Sequence, residues 1–208
     1  TQLALGSAWV VSLARGMADA ARDLGVYVCG GNLTRGPLNI AVSAHGEIEH
    51  RCLLRRSGGQ AGQQLSVTGR LGAAAACVRT GQMLPVDPAV LTPVQSAYYR
   101  PQARFDVLAM VETASAGLDI SDGLSQDLAH LCAASGCGAA LQAASIPLAA
   151  GATLEDALFG GDDYELLVAS DKPLPGAHTI GMLTAEPGLT LDGAPLASNG
   201  FDHFGKDQ

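Results

Sequence analysis

The chain has 208 residues, 48% of them hydrophobic, 15% charged and only 4% aromatic, which describes an ordinary folded chain with an aliphatic, alanine-rich core and room for one and a half to two domains. Its formal net charge is −8 and its longest basic run is the pair Arg55-Arg56, so the electrostatic term that drives nucleic-acid binding is missing and nucleic acid is excluded as a partner. The five cysteines include no CxxC pair, which argues against zinc and a disulfide framework, and no apolar stretch is long enough to span a membrane, leaving a cytoplasmic setting as the default.

A helical pattern runs from Ala8 to Leu24, with Ser7 placed to cap its start and Gly25 to end it. Val26 to Cys29 follows as a strand, and then comes the glycine loop Gly30-Gly31-Asn32-Leu33-Thr34-Arg35-Gly36-Pro37. Leu38 to His45 alternates apolar and polar residues as a half-buried strand does. The loop is neither GxxxxGK[ST] nor GxGxxG, and Cys29 beside it reads as a small buried residue. Ser57 to Gly62 is a flexible connection, and the domain boundary falls there: residues 1–56 and 57–208.

Beyond the boundary, Leu65 to Thr68 reads as a strand and Leu71 to Thr80 as a helix. Pro88 to Ala97 and Ala103 to Thr113 read as helices around an Arg100-Pro101 break. Gly117 to Ile120 is a strand, Gly123 to Ala134 a helix and Glu165 to Ala169 a buried strand. The alternation of strands and helices predicts an α/β chain.

Two acidic segments could carry chemistry. In Leu118-Asp119-Ile120-Ser121-Asp122-Gly123 a strand turns into a helix and sets two carboxylates beside free amides, an arrangement suited to magnesium and phosphate together. The same residues also suit a plain N-cap serine with acids favouring the helix dipole. In Gly160-Gly161-Asp162-Asp163-Tyr164-Glu165, a solvated turn accounts for the paired acids, while Glu165 heads the strand and is placed for recognition.

Taken in order, these segments resemble the thiamine-monophosphate kinases of the aminoimidazole ribonucleotide synthetase-like superfamily. The glycine loop resembles GGDTTRGP, Val67 to Gly72 resembles VTGxLG, and Tyr99-Arg100-Pro101 the RP break. Asp119 to Leu128 matches DISDGLxxDL, Ile146 to Leu148 IPL, Gly160 to Leu166 GGDDYEL, and Gly200 to Phe204 G(Y/F)DHF. The resemblance implies an α+β two-layer fold, with a partial N-terminal domain followed by a complete C-terminal one, and a homodimer in the full-length protein. It implies transfer of the ATP γ-phosphoryl group to thiamine monophosphate with Mg2+ as cofactor. On this resemblance Asp119 and Asp122 are catalytic and bind metal with Asn32; Gly31, Asn32, Arg56 and Ser121 contact ATP; and Glu165 and Phe201 hold thiamine monophosphate.

Two departures bear on that expectation. Asn32 stands where the family has aspartate and can offer a cation only a neutral carbonyl oxygen. The family's GDDAA-type and DMLVEGVHF-type motifs are absent, and with Thr1 opening the chain this reads as an N-terminally truncated fragment that is inactive alone. A non-catalytic nucleotide- or phosphate-binding remnant, or a sibling such as selenophosphate synthetase, stands as the alternative.

Overall fold

The computed structural model describes residues 6–50, 53–83, 89–107 and 112–201. The chain divides into two compact units, Thr1–Glu47 and Ile48–Gln208.

In the first unit, helix α1 spans Ser7–Asp23. Its N-cap is Gly6, not Ser7, and no side chain caps it; Ser7 is the first helical residue, and the helix ends with the Leu24 amide on the Ala20 carbonyl and the Gly25 amide, at φ 66°, on the Arg22 carbonyl. Neither Val26 to Cys29 nor Leu38 to His45 forms a strand. Alternation alone does not make a strand, because the ladder needs a hydrogen-bonding partner, and no described residue pairs with either segment. Cys29 is exposed, against the buried position expected of it.

The second unit is built on a mixed sheet of strands β1 (Gln64–Thr68), β2 (Ala116–Asp119), β3 (Gly138–Leu141), β4 (Leu166–Ser170), β5 (Ala177–Thr184), β6 (Leu189–Leu191) and β7 (Ala194–Pro195). Their spatial order among the described residues is β2-β4-β1-β5-β3-β6-β7. All neighbours run antiparallel except β3 and β6. Central β4 shows why the sheet holds: Leu167 and Ala169 face one side and join the main core, while Val168 faces the other and packs with Val107 and Leu174.

Helix α2 covers Ala73–Arg79, α3 Pro93–Tyr99, α4 Leu124–Ser135 and α5 Leu154–Phe159. Leu124, Leu128 and Leu131 recur at helical spacing on α4 and are fully buried against the sheet; each contributes roughly 2 kcal/mol of transfer free energy. Helix α3 begins at Pro93 behind a Thr92–Gln95 capping box, so the part of the expected 88–97 helix at Ala89 to Thr92 is not helical, and Pro88 lies outside the described residues. In place of a helix from Ala103, a single 3-10 turn forms over Phe105–Val107; positions 108–111 are not described.

The Ser57 to Gly62 segment docks on this unit. Gly59 is buried with its amide on Ser135 Oγ at 3.1 Å, and the Gly62 amide donates to the Leu183 carbonyl at 2.9 Å. Just before it, Leu54 packs with the Val168 cluster and the Arg55 carbonyl accepts from the Gly117 amide at 2.8 Å, so the Arg55-Arg56 pair runs along the outer edge of β2.

Candidate functional site

Strand β2 ends at an exposed Asp119, buried Ile120 anchors the chain below it, and a tight turn leads into α4. The three amides of that turn are not open to a ligand. Those of Ser121, Asp122 and Gly123 all donate to Asp127 Oδ2, at 2.9, 3.0 and 3.2 Å. Asp127 is buried, and its desolvation pushes the carboxyl above its ordinary range despite these three donors. Its role was legible only as an acid one turn into a helix. With those amides occupied, Asp119 and Asp122 are the outward-facing groups of the turn.

The second acidic turn clasps the first. Asp162 and Tyr164 donate their amides to the Ser121 and Ile120 carbonyls at 2.9 and 2.8 Å, and the Ile120 amide donates to the Glu165 carbonyl at 2.8 Å. A Cβ on Gly161 would lie 2.5 Å from the Ser121 carbonyl oxygen, so only glycine lets the two backbones approach this closely. Asp162 and Tyr164 both adopt positive φ, at 65° and 51°, a conformation that costs a bulky residue of order 1–3 kcal/mol. Tyr164 Oη donates to Asp162 Oδ1 at 2.9 Å; that bond, burial, and the charges of Asp162, Asp119 and Asp122 raise the phenol's pKa. Asp119 and Asp122 therefore share one electrostatic neighbourhood with the second turn.

Ser121, Asp122, Gly161, Asp162, Tyr164 and Phe201 line a cavity of about 390 Å³. Phe201 is tied to it by its amide on the Asp122 carbonyl at 3.0 Å and by its own carbonyl, which accepts from Gln126 Nε2 at 3.0 Å. A smaller, mostly apolar cavity of about 240 Å³ between Ala76, Thr80, Pro93 and Val94 holds no titratable group.

Asp163 and Glu165 point elsewhere. Asp163 accepts the Gly72 amide at 2.8 and 3.1 Å at the start of α2; burial, with Glu165 and Asp162 nearby, pushes its pKa up to about 7. Glu165 Oε2 accepts from the Thr68 hydroxyl and from Arg104 Nη1, both at 2.5 Å. Its carboxylate lies over Gly69, at φ +58°, where a Cβ would come within 2.0 Å of Oε1. Arg104 had no expected role, because its segment reads as helix in sequence.

The structure thus brings Ser121, Asp122 and Phe201 to one cavity, with Asp119 and the backbone of Glu165 next to its walls, while the Glu165 carboxylate turns to Thr68 and Arg104. Arg56 is exposed, and its carbonyl accepts from Ser135 Oγ at 2.9 Å at the far end of α4. Gly31 and Asn32 lie in the first unit, where Asn32 Oδ1 accepts the Leu33 amide at 2.9 Å. The segment after Phe201 that carries His203 lies outside the described residues.

For magnesium, the relevant test is donor chemistry. Among the described residues no three His, Cys, Asp or Glu side chains gather as a ready-made cage. Magnesium rarely asks for one, since it keeps several waters and takes one or two carboxylates together with substrate phosphates. Asp119 and Asp122, hard oxygen donors on an acidic turn beside a cavity, fit that demand.

The helices and mixed sheet form an AIR synthase-like α+β fold, and the family profile for the N-terminal domain of AIR synthase-related proteins matches residues 1–48. The thiamine-monophosphate kinase of Escherichia coli K12 is 31% identical over 225 residues, covering 95% of this chain and 69% of that protein. Among solved structures, AaThiL in complex with AMPPCP and TMP superposes with a TM-score of 0.83 at 26% identity, over 97% of this chain and 70% of that one. The thiamine-monophosphate kinase of Stenotrophomonas maltophilia K279a superposes at 0.79 with 27% identity, covering 92% and 69%. The chain belongs to the thiamine-monophosphate kinase family, whose members are phosphotransferases. No helix among the described residues is long and apolar enough to cross a membrane.

Proposed function

We propose that the site transfers the γ-phosphoryl group of ATP to the phosphate of thiamine monophosphate. A terminal phosphate oxygen of thiamine monophosphate attacks the γ-phosphorus, the bond from that phosphorus to the β-bridging oxygen breaks, and thiamine diphosphate and ADP leave. The observation that carries the reading is the cavity joining Ser121, Asp122 and Phe201 across the two acidic turns. The AMPPCP and TMP of the AaThiL complex support the choice of ligands.

In this reading Asp119 and Asp122 hold Mg2+, which when bound neutralises charge developing on the phosphates. Ser121 and Arg56 contact ATP, Gly31 and Asn32 line its phosphates, and Asn32 adds a neutral oxygen to the metal. Phe201 offers a flat apolar face to the cationic heterocycle, and Glu165 fixes the substrate from the neighbouring wall. The boundary between residues 1–56 and 57–208, assembly as a homodimer and a cytoplasmic setting belong to the same proposal. Exposed apolar side chains at Leu38, Ile40 and Val42 support a further protein contact in the first unit.

Calorimetric titration of the chain with thiamine monophosphate, and with ATP in the presence and absence of Mg2+, tests the reading. Saturable binding of both, with ATP affinity dependent on Mg2+, is the expected result; no binding of thiamine monophosphate overturns it. Asn32 favours one competing reading, a nucleotide binder without turnover. Mg2+-dependent ATP binding without any binding of thiamine monophosphate would select that reading.

A further inference from the structure

Glu165 is held by more than its own strand. Oε2 accepts from the Thr68 hydroxyl, whose oxygen in turn accepts the Leu166 amide at 2.8 Å, and from Arg104 Nη1. Arg104 is fixed from its other side, where Nε and Nη2 donate to Asp106 Oδ1 and Oδ2, both at 2.9 Å. Arg104 and Glu165 are each only 17% exposed, whereas Asp106 is 64% exposed. The fork of one guanidinium thus spans a solvent-facing carboxylate and a sheltered one. Such a bidentate grip fixes direction as well as distance. Oε1 of Glu165 accepts from no donor among the described residues.

We infer that Arg104, with Thr68, is a positioning residue for Glu165: the two lock Oε2 and hold the carboxylate in one orientation over Gly69, leaving Oε1 as its remaining acceptor. This rests on the reading of Glu165 as a substrate residue. The ion pair also keeps the carboxylate from swinging into solvent, the usual way an unanchored glutamate loses its contribution to affinity. Asp106 serves as the outer stop that holds the guanidinium in plane.

The test is calorimetry of the full chain and its R104M, R104K, E165Q and R104M/E165Q variants, titrated with thiamine monophosphate and separately with Mg2+-ATP, with thermal melts as the folding control. R104M is expected to weaken thiamine monophosphate about tenfold or more while leaving Mg2+-ATP unchanged. R104K recovers part of the loss, and ethylguanidinium added to R104M recovers more, because it restores the fork. The double variant binds no worse than E165Q, since one residue acts through the other. Additive losses, or equal weakening of both ligands, overturn the inference. Binding by the unsubstituted chain that survives R104M overturns this inference alone; absence of thiamine monophosphate binding in the unsubstituted chain overturns the functional reading and this inference with it.

Discussion

The two acidic turns look alike in sequence and differ in use. In each, one acid turns inward onto backbone amides, while Asp119 and Asp122 in the first and Asp162 in the second face outward. Asp127 gathers three amides of its own turn, whereas Asp163 reaches across to the Gly72 amide at the head of another helix. Asp127 therefore holds its own turn in shape, and Asp163 ties the second turn to α2. Asp163 also sits near Glu165 and Asp162, whose charges add to burial in raising its pKa to about 7. A count of acids overstates the chemistry of such a segment, because the inward ones belong to the scaffold.

The largest effect that would separate the turns is expected from Asp127→Ala. It strips the acceptor from three amides at once and should destabilise the second unit by on the order of 3 kcal/mol. Chemical denaturation measures it, and a loss near zero would mean that water serves those amides equally well. Next comes Gly161→Ala, which presses a methyl group onto the Ser121 carbonyl and should cost about 2 kcal/mol by prising the turns apart. If the variant melts with the unsubstituted protein, the clasp is looser than the distances imply.

Asp163 predicts a pH dependence of definite sign. Its folded value of about 7 lies above the ordinary 3.8, so the folded chain holds a proton that the unfolded chain releases. The stability this contributes is present in full below about pH 4, is lost as pH rises, and is gone above about pH 7. Asp163→Asn keeps an acceptor for Gly72 and removes the titration, so its advantage should emerge above pH 4 and level off at roughly 1–2 kcal/mol by pH 8. Thermal melts at pH 4, 6 and 8 measure this; a constant difference across the three would place the proton elsewhere.

Much of the second unit was legible because its apolar runs are bounded and buried. Strands β1, β2 and β4 and helix α4 fall within one or two residues of the pattern in the sequence. Strand β5 was not legible: Ala177 to Thr184 mixes exposed His178 and Thr179 with buried Ile180 and Leu183, and its register shifts on β1, so no period of two survives. Strand β3 is a glycine and two alanines before a single leucine, without the β-branched or aromatic residues that mark a strand, and three-residue β6 is too short to carry a period. Val26 to Cys29 shows the reverse error, since a β-branched run names a strand only when another backbone lies alongside. Of the site, the motifs were readable, but the partition of acids into inward and outward was not. That partition is set by which carboxylate the folded turn buries, and neighbouring positions such as Asp162 and Asp163 look interchangeable in one dimension.

The smallest expected effect on stability is the most informative about function. Asp119 is exposed at the end of β2, and Asp122 lines the cavity; no described amide depends on either carboxylate, unlike those that depend on Asp127. Replacing either with Asn should therefore change stability by no more than about 0.5 kcal/mol, and the sign should be favourable if repulsion from Asp162 outweighs solvation. The same replacements should weaken Mg2+-dependent ATP binding and leave any Mg2+-independent binding alone, because an amide brings an oxygen to the metal without its charge. Paired calorimetric titrations with and without Mg2+, alongside thermal melts, separate the two consequences. If Asp119→Asn or Asp122→Asn instead costs stability on the scale expected of Asp127→Ala while Mg2+-ATP affinity holds, the outward acids are scaffold as well, and the metal must be held by other groups.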